Sequence, residues 1–543
     1  MVPSLPLQPT GPSMPNLYRH PLYPNSAANT HLPGYPPTHD ASLPPPADEL
    51  HAMFLHTQRD LEISKNRFSP SFGTKLLPGM YSMPIHAVPK SDPSDLQMVT
   101  NQSAGEFSLN SMVLHNDIAG YPLNNMRHLG KILLARHNPQ HPPPILWKSD
   151  IAEAYRLMPV HPYWQIKQVN TIDGFRHIDR NGAFGGRGTG SIWISFNALV
   201  TWIAIHIKLI EFLCAYSDDS FGPDAADNLV LYWPYNKLMP GNQVKLLLLW
   251  DELGIPHKEK KQIFGSPLKI IGIDVDSNLM TMTLPADRLH ALLQELEKFT
   301  RYTNRKSPSF ALKVWQRLAG WLNWAFNVFP LLRPSLNNVY PKISFHGRVN
   351  PDLKLYVNMA IRNDLLWATQ HLSNATSTHV LRSIYWSPDI ADITIYCDAC
   401  LDGMGFYYPE HELGFYATVP PDTPSDQILY FEALCVASAL QHATETFPSK
   451  SSLQIVLFTD NTNSVNIFSS LYSLPAYTEI LKFFCDILIQ TMHQVRVLHV
   501  PSSSNAVTDA LSHAQFTSAL ALVPSLSISY FQPPRLPLGA VKK

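Results

Sequence analysis

The chain has 543 residues, of which 45% are apolar and 15% are charged, with 41 basic against 42 acidic side chains. This composition excludes a wholly disordered chain, and five cysteines exclude a disulfide scaffold and suit a reducing compartment. The net charge of −1 gives by itself no sign of a nucleic-acid partner. At about 150 residues per domain, we expect three to four domains.

The two ends of the chain are rich in proline. The first 50 residues hold 13 of the 48 prolines and show no hydrophobic period, so burial there cannot offset the entropy cost of ordering. We predict a disordered leader over residues 1–55, and not a signal peptide, since no basic start precedes an apolar core. The Pro-rich residues 517–543 are predicted to be a tail.

An apolar segment at residues 191–213 is long enough to cross a membrane. It contains Asn197, His206, Lys208 and Glu211, which are costly in lipid. We therefore predict a buried core helix and no membrane association. Around it, residues 146–285 alternate strand-like and helical runs, and residues 390–515 do the same.

A first set of carboxylates follows two apolar runs. One run leads into Asp150 in LWKSDIAEAYRLMPVHP, and the other leads into Asp218 and Asp219 in FLCAYSDDSFG. A strand ending in Asp beside a turn bearing Asp-Asp can bring three carboxylates together, and such like charges require a cation. Oxygen ligands suit Mg²⁺, and two ions about 4 Å apart can clamp the reacting oxygens of phosphoryl transfer. A solvated turn is the alternative for the dipeptide alone.

These residues resemble the catalytic motifs of reverse transcriptases. Residues 216–219 (YSDD) resemble the Tyr-x-Asp-Asp box, and Asp150 with Tyr155 five residues later resembles the first catalytic motif. The resemblance implies a right-hand polymerase with fingers, palm and thumb. It makes Asp150, Asp218 and Asp219 ligands of Mg²⁺, or of Mn²⁺, and Tyr155 the steric gate against a 2′-hydroxyl on the incoming nucleotide.

The neighbouring segments follow the same order of motifs. Residues 88–113 resemble the fingers hairpin and the Ser-x-x-x-x-x-Leu-Asn segment that follows it, and residues 184–203 resemble the loop and helix under the nascent base pair. Residues 253–276 resemble the segment that closes the palm and grips the primer. One departure is that Gln97 stands where the family has an Arg contacting the triphosphate, and Gln lacks that bidentate charged fork. The resemblance implies a set of substrate-binding residues: Lys90, Gln97, Tyr155, Gly185, Tyr216, Lys258 and Lys261.

A second set of acids lies near the C-terminal end, in the order strand, helix, strand, helix. Its members are Asp398, Glu432, Asp460 and Asp509. Singly, each is typical of a solvated strand end or helix face. Together, with the glycines after Asp398 and the Asp-Asn-Thr turn at Asp460, they resemble ribonuclease H. The resemblance implies metal-dependent hydrolysis of the RNA strand of an RNA–DNA hybrid by these four acids, with two ions bound.

Two further features leave alternatives open or point to structure. Cys397 and Cys400 form a Cys-x-x-Cys pair without a second ligand pair in nearby sequence, so we expect a structural role. Residues 298–317 carry six basic side chains and no acid. They are interpreted either as a nucleic-acid track or as an amphipathic helix with core aromatics; the aromatics are Phe299, Tyr302, Phe310 and Trp315.

The resemblance extends over about residues 60–515 and predicts the reverse transcriptase and ribonuclease H part of a fungal retrotransposon, DIRS-like and related to gypsy-like elements. The expected fold class is α+β and multidomain: fingers and palm at 56–285, thumb or connection at 286–388, and a ribonuclease H-like α/β domain at 389–516. The implied partners are an RNA template, a DNA primer, an RNA–DNA hybrid and dNTPs inside the cell. Alternatives are a relic with an inactive polymerase and a non-catalytic nucleic-acid-binding scaffold.

Overall fold

The computed structural model describes residues 37–89, 95–114, 118, 123–138, 140–301, 307–346, 353–374, 378–380, 386–420, 428–447 and 452–535. These residues form two compact units. Unit 1 comprises the described residues up to Ile132 and those from His137 to Ser266, and unit 2 comprises Leu133–Arg136 and those from Pro267 onward. Both units combine helices with β-sheet.

Unit 1 contains short strands and helices in alternation. Its strands are β1 His39–Asp40, β2 Tyr81–Met83, β3 Ile85–Pro89, β4 Leu96–Thr100, β5 Ile145–Asp150, β6 Val169–Ile172, β7 Phe175–Ile178, β8 Cys214–Tyr216, β9 Asp219–Asp224, β10 Leu229–Tyr232, β11 Lys237–Pro240 and β12 Ile263–Gly265. Its helices are α1 Glu49–Ser64, α2 Leu109–Met112, α3 Met126–Arg136, whose last turn belongs to unit 2, α4 Pro162–Gln165, α5 Thr189–His206 and α6 Gly241–Glu252.

The central sheet of unit 1 has the strand order β12-β5-β9-β8, and β5 pairs antiparallel with both of its neighbours. Trp147 of β5, Trp193 of α5 and Trp250 of α6 are fully buried in one apolar core. A second sheet has the order β1-β2-β6-β7. β3 and β4 pair antiparallel, so the pairing begins before residue 88 and, within the predicted range 88–113, extends only to Thr100.

Unit 2 begins with a mostly helical region and ends with a larger sheet. Its strands are β13 Leu268–Ile270, β14 Ile273–Asp276, β15 Thr281–Thr283, β16 Ser309–Ala311, β17 Lys354–Tyr356, β18 Thr378–Val380, β19 Ile393–Ala399, β20 Gly403–Tyr408, β21 Leu413–Thr418, β22 Gln454–Thr459, β23 Gln494–His499 and β24 Ser527–Tyr530. Its helices are α7 Ala286–Thr300, α8 Leu312–Ala325, α9 Val339–His346, α10 Met359–Asn374, α11 Ile428–Thr446, α12 Thr462–Ser470, α13 Thr478–Thr491, α14 Ala506–Ser512 and α15 Phe516–Leu522.

The six-stranded sheet of unit 2 has the order β23-β22-β19-β20-β21-β24. β19, β22 and β23 run parallel to one another, whereas β20 is antiparallel to both of its neighbours. Helix α11 is buried along most of its length against this sheet, because its first three turns are almost entirely apolar (YFEALCVASAL). Glu432 is the one acidic side chain in that buried run.

Two predicted boundaries are wrong. Residues 37–55 were assigned to the disordered leader, but β1 pairs with β2 and Asp48 caps α1 by accepting bonds from the backbone N–H groups of Leu50 and His51. Residues 517–530 were assigned to the tail, but α15 and β24 belong to the fold, and β24 pairs with β21. Amino-acid composition does not reveal these two ordered segments, because one depends on a single helix cap and the other on the pairing of a single strand. Residues 1–36 and 536–543 lie outside the described residues.

The apolar segment 191–213 forms helix α5 only as far as His206. One face of α5 is buried, at Trp193, Asn197 and Val200, while Leu199 and Trp202 on another face are exposed. The prediction of a core helix therefore holds for one face. Within the residues described above, no helix combines the length and apolarity needed to cross a bilayer.

Candidate acidic centres

The three aspartates of unit 1 meet where β5 ends and β9 begins. The β5–β9 register places Asp150 opposite Asp219, and the Ile151 N–H donates to the Asp218 carbonyl at 3.3 Å. Directly opposed residues have Cβ atoms about 5 Å apart. The two-residue turn between β8 and β9 consists of Ser217, at φ +57°, and Asp218. The predicted meeting of strand end and Asp-Asp turn is therefore what the chain forms.

Two lysines occupy this first centre. The Lys148 Nζ lies 2.9 Å from an Asp219 carboxylate oxygen, and the Lys261 Nζ lies 2.7 Å from Asp150 Oδ2. Lys148 precedes Asp150 by two residues in β5, so both side chains point to the same face of the strand. Lys261 was expected to bind substrate, whereas Lys148 was not identified from the sequence. The lysines supply the cation that the clustered carboxylates require.

Burial raises the pKa of Asp219, and the charges of Asp218 and Asp150 act in the same direction, whereas the Lys148 ammonium opposes them. In the described part of the chain, the one group of three or more acids, histidines or cysteines whose ligand atoms all lie within 4.8 Å of one another is in unit 2. The unit 1 carboxylates, held by lysines, do not fit one shared ion in this arrangement. An ion bound by Asp150 would have to displace Lys261.

Tyr155 lies beside the Asp-Asp turn, in the 3-10 helix Ala154–Leu157. Its hydroxyl is 3.2 Å from the Ser217 Oγ, and its ring packs edge-on against Phe184 at 5.4 Å between centroids. The Trp193 Nε1 and the Asn197 Nδ2 of α5 both donate to the Ser217 carbonyl at 3.0 Å. Helix α5 thus fixes the turn that carries Asp218 and Asp219.

Gly185 lies in a loop that presses against the end of β4. Its φ is +104°, and a Cβ there would lie 2.3 Å from the Thr100 carbonyl oxygen, so only glycine fits. The Thr100 Oγ1 donates to the Phe184 carbonyl at 2.9 Å, and the Asn110 Nδ2 donates to the Gly185 carbonyl at 2.8 Å. The loop beside Tyr155 is therefore held from two sides.

Arg156 anchors the segment that carries Tyr155 and was not identified from the sequence. Its guanidinium donates to both Asp179 oxygens at 3.0 and 2.9 Å, to the Gly182 carbonyl at 3.1 Å and to Glu62 of α1 at 2.5 Å. Arg156 is 6% exposed. Burial raises the pKa of Asp179 to about 6 against the opposing charge of Arg156. The sequence signal for Arg156 was its place within the otherwise apolar run AYRLMPV.

The remaining predicted substrate residues of unit 1 are dispersed. Gln97 lies in β4 opposite Val88, Tyr216 ends β8 with an exposed ring, and Lys258 is exposed before a short 3-10 helix. Lys90 lies outside the described residues. Tyr216 pairs with Asp219 across the β8–β9 turn, whereas no described contact joins Gln97 or Lys258 to the aspartates. The binding roles of all three residues stay predictions.

The second centre lies at the carboxyl ends of two parallel strands in unit 2. Asp398 is in β19 and Asp460 follows β22, and the register pairs the preceding residues, Cys397 and Thr459. Glu432 comes from α11, which packs on β19. One ligand oxygen from each of the three acids lies within 4.8 Å of the others. Three converging oxygen donors fit the preference of Mg²⁺.

This centre is more buried than the first. Asp398 is 7% exposed and Glu432 is 5% exposed. Burial raises the pKa of Glu432 to about 9, with further increases from the charges of Asp398 and Asp460. Burial likewise raises the pKa of Asp398 to about 6, against a hydrogen bond from Ser512. Burial disfavours the charged form of these carboxyls, so a cation bound between them would stabilise them strongly.

Asp509, the fourth predicted acid, lies outside the group of three. It is on α14 with its side chain 66% exposed, and His513 lies 3.9 Å away. Its charge nevertheless raises the pKa of Asp398. The structure thus brings together Asp398, Glu432 and Asp460 and leaves Asp509 at the periphery.

The remaining features agree with structural roles. Cys397 and Cys400 are both buried, and the Cys400 Sγ donates to the Ser512 carbonyl at 3.2 Å. In the basic stretch, Phe299 and Trp315 are fully buried and contact each other at 5.0 Å, so they cannot stack on bases. Lys298 and Arg317 both pair with Glu295. The core-aromatic interpretation is therefore correct for these two rings; residues 302–306 lie outside the described residues.

No model of a known protein family matches this chain, and no curated protein matches it. The chain is similar to solved structures of the foamy viral protease–reverse transcriptase. The structure with dsDNA is 14% identical to this chain, the match covers 88% of this chain and 87% of that chain, and the TM-score is 0.43. A second one, of the protease-reverse transcriptase dRH in complex with ds DNA, is 14% identical and covers 84% of this chain and 72% of that chain, with a TM-score of 0.41. The structure with RNA/DNA hybrid is 12% identical to this chain, the match covers 89% of this chain and 78% of that chain, and the TM-score is 0.40. The chain is thus a mixed α/β protein with reverse-transcriptase structural neighbours. At these values the likeness assigns neither an activity nor a ligand to it.

Proposed function

We propose that the chain is an RNA-directed DNA polymerase with ribonuclease H activity, from a fungal retrotransposon of the DIRS-like class. The observation that carries the proposal is a pair of acidic centres on one chain, each at strand ends and each in the sequence order of its motif. Unit 1 would be fingers and palm, the helical part of unit 2 would be thumb or connection, and the six-stranded sheet would be the ribonuclease H-like domain.

In the polymerase step, a primer 3′-hydroxyl attacks the α-phosphate of a dNTP, and pyrophosphate leaves. Asp150 and Asp218 are the proposed ligands of Mg²⁺ in unit 1, in an arrangement in which Lys261 has left Asp150. Tyr155, held between Ser217 and Phe184, would line the sugar pocket and exclude a 2′-hydroxyl. Gly185 would allow the backbone to approach the base pair, since it carries no Cβ.

In the hydrolytic step, water attacks a phosphodiester of the RNA strand of a hybrid, and a ribose 3′-oxygen leaves. Asp398, Glu432 and Asp460 would hold the Mg²⁺, with Asp509 at the edge. Bound there, Mg²⁺ supplies a nucleophilic water and neutralises developing charge. The chain's own contribution is the buried set of oxygens, since the low-dielectric surroundings strengthen each interaction with the ion.

Primer extension on an RNA template with dNTPs and Mg²⁺ tests the polymerase. We expect wild type to extend the primer and Asp218→Asn to lose extension, with Asp402→Asn, at an exposed acid of unit 2, as control. Equal extension by wild type and Asp218→Asn contradicts the proposal.

The lysine-paired aspartates and Gln97 favour a second candidate, a relic that cleaves hybrids but no longer polymerises. It predicts cleavage of a labelled RNA–DNA hybrid that disappears in Asp460→Asn, with no primer extension by wild type. Equal cleavage by wild type and Asp460→Asn would exclude hybrid cleavage at unit 2 for both candidates.

A further inference from the structure

One segment of unit 2 donates hydroxyl hydrogen bonds to two of the three converging acids. The Ser512 Oγ, at the end of α14, donates to Asp398 Oδ2 at 2.6 Å. The Ser502 Oγ, in the 3-10 helix Ser502–Ser504, donates to Asp460 Oδ2 at 2.7 Å. We propose that Ser512 and Ser502 are positioning residues that orient these two carboxylates for a divalent cation. The inference rests on the hybrid cleavage proposed for unit 2.

The position of Ser512 is fixed by close contact between α14 and the backbone of β20. A Cβ on Gly403 would lie 2.3 Å from the Ser512 carbonyl oxygen, and a Cβ on Gly405 would lie 2.7 Å from the Leu511 Cβ. Ser512 itself is 1% exposed. Helix α14 can therefore seat against β20 only because both positions are glycine, and this places the hydroxyl on Asp398.

The segment between the two serines is anchored beside Asp398. The Asn505 Nδ2 donates to the Cys397 carbonyl at 3.1 Å, and the Thr508 Oγ1 donates to Asn505 Oδ1 at 2.5 Å. Both anchoring residues are buried. Ser502 and Ser512 therefore reach the acids from the two ends of a segment that Asn505 ties to β19.

Each hydroxyl engages one oxygen of its carboxylate and so restricts the rotation of that group. The restriction holds the other oxygen in one direction, which lowers the entropy lost when an ion binds. Hydrogen-bond partners of metal ligands typically change metal affinity by about 10- to 100-fold when they are removed. The serines therefore set the metal affinity without touching the ion.

Calorimetric titration of the full-length chain with Mn²⁺ tests this inference directly. The reference protein carries Asp150→Asn and Asp218→Asn, so that binding reports on unit 2. On that background we expect Ser512→Ala to weaken Mn²⁺ binding by about 10-fold or more, and Ser502→Ala to weaken it as well. Ser502→Thr keeps the hydroxyl at an exposed position and restores the affinity. If Ser502 had a merely structural role, Mn²⁺ affinity would not be lost in Ser502→Ala and restored in Ser502→Thr.

Two serines serve as matched controls. Ser438 is buried in α11 and its hydroxyl bonds the Leu434 carbonyl, whereas Ser504 is exposed in the same 3-10 helix as Ser502. Ser438→Ala and Ser504→Ala should bind Mn²⁺ as the reference does. If Ser512→Ala does not fold, Ser502→Ala against Ser502→Thr decides.

The outcomes separate the inference from the proposed function. If the reference protein binds Mn²⁺ and both alanine variants bind it equally well, the positioning role is overturned while the metal centre stands. If the reference protein binds no Mn²⁺, the metal centre of unit 2 fails, and the positioning role fails with it.

Discussion

The two acidic centres neutralise their charges in different ways. In unit 1, Lys148 and Lys261 pair with Asp219 and Asp150. In unit 2, burial raises the pKa of Glu432 to about 9 and that of Asp398 to about 6, so at neutral pH a proton on Glu432 takes the place of a cation. A metal ion therefore competes with lysine at the first centre and with protons at the second. The first should respond to salt, and the second to pH.

The largest expected effect is on the stability of metal-free unit 2. The pKa of Glu432 is about 9 when folded and about 4 when unfolded. Between these values the unfolded chain binds fewer protons than the folded chain. The ionisation of Glu432 therefore leaves the free energy of unfolding unchanged below about pH 4 and lowers it as the pH rises toward 9. Glu432→Gln cannot ionise, so we expect it to be more stable than wild type at pH 8 by on the order of a few kcal/mol.

Hydrogen exchange of the α11 amides in the presence of a chelator, corrected for intrinsic rates, measures this difference. Glu445→Gln, at an exposed position on the same helix, serves as the control and should leave the pH slope unchanged. An unaltered slope in Glu432→Gln would show that Glu432 is not the buried proton carrier.

The next effect concerns metal affinity at unit 2. Because Glu432 must lose its proton to bind an ion, we expect the Mn²⁺ affinity to rise by up to about tenfold per pH unit between pH 6 and 8. Titration of the chain with Asp150→Asn and Asp218→Asn in buffers of different ionisation enthalpy also counts the protons released. If the Mn²⁺ affinity does not change with pH and no protons are released, the two centres do not differ in how their charges are neutralised.

In unit 1 we expect a smaller change in stability, and it has the opposite sign because the substitution destabilises the protein. Lys148→Met leaves Asp219, whose side chain is 19% exposed, without its counter-ion and should destabilise unit 1 by about 1–3 kcal/mol. Adding Asp219→Asn should recover most of the loss, since the unpaired charge is then gone. Hydrogen exchange of β5 and β9 amides measures both, with Lys245→Met at an exposed lysine of α6 as control. If the double variant loses as much stability as the two single variants together, Lys148 and Asp219 do not stabilise each other.

The smallest effect is expected at Lys261, whose side chain is 52% exposed. Lys261→Met should change stability by less than about 1 kcal/mol, because water and salt screen an exposed pair. It should nevertheless tighten Mn²⁺ binding at unit 1 a few-fold, since the competing cation is removed. Titration in a chain carrying Glu432→Gln and Asp460→Asn isolates that site. Weaker binding in Lys261→Met would contradict competition.

The sequence was sufficient to place acids at strand ends, because an apolar run that stops at Asp is a local signal. Asp150, Asp398 and Asp460 were found in this way, and each lies where a strand ends or within its last residues. The meeting of Asp398, Glu432 and Asp460 followed from the order of motifs, which periodicity alone could not supply.

The lysine pairs could not be predicted, because they depend on strand register. Lys148 reaches Asp219 only when β5 and β9 pair with Asp150 opposite Asp219. The hydroxyls of Ser502 and Ser512 likewise depend on how α14 seats on the glycines of β20. The sequence left open whether Phe299 and Trp315 are buried, since an amphipathic helix shows its period but not which neighbour covers it.

One reaction tests the two-centre account most directly. An RNA template labelled at one end and a DNA primer labelled with a second dye are incubated with dNTPs and Mg²⁺, and extension and RNA cleavage are measured together. We predict that Asp218→Asn loses extension by about 10³-fold or more, equivalent to about 4 kcal/mol, and still cleaves pre-formed hybrid. Glu432→Gln should extend the primer and lose cleavage to a similar degree. A single variant that loses both activities, or wild type that shows neither, would contradict two separate centres on one chain.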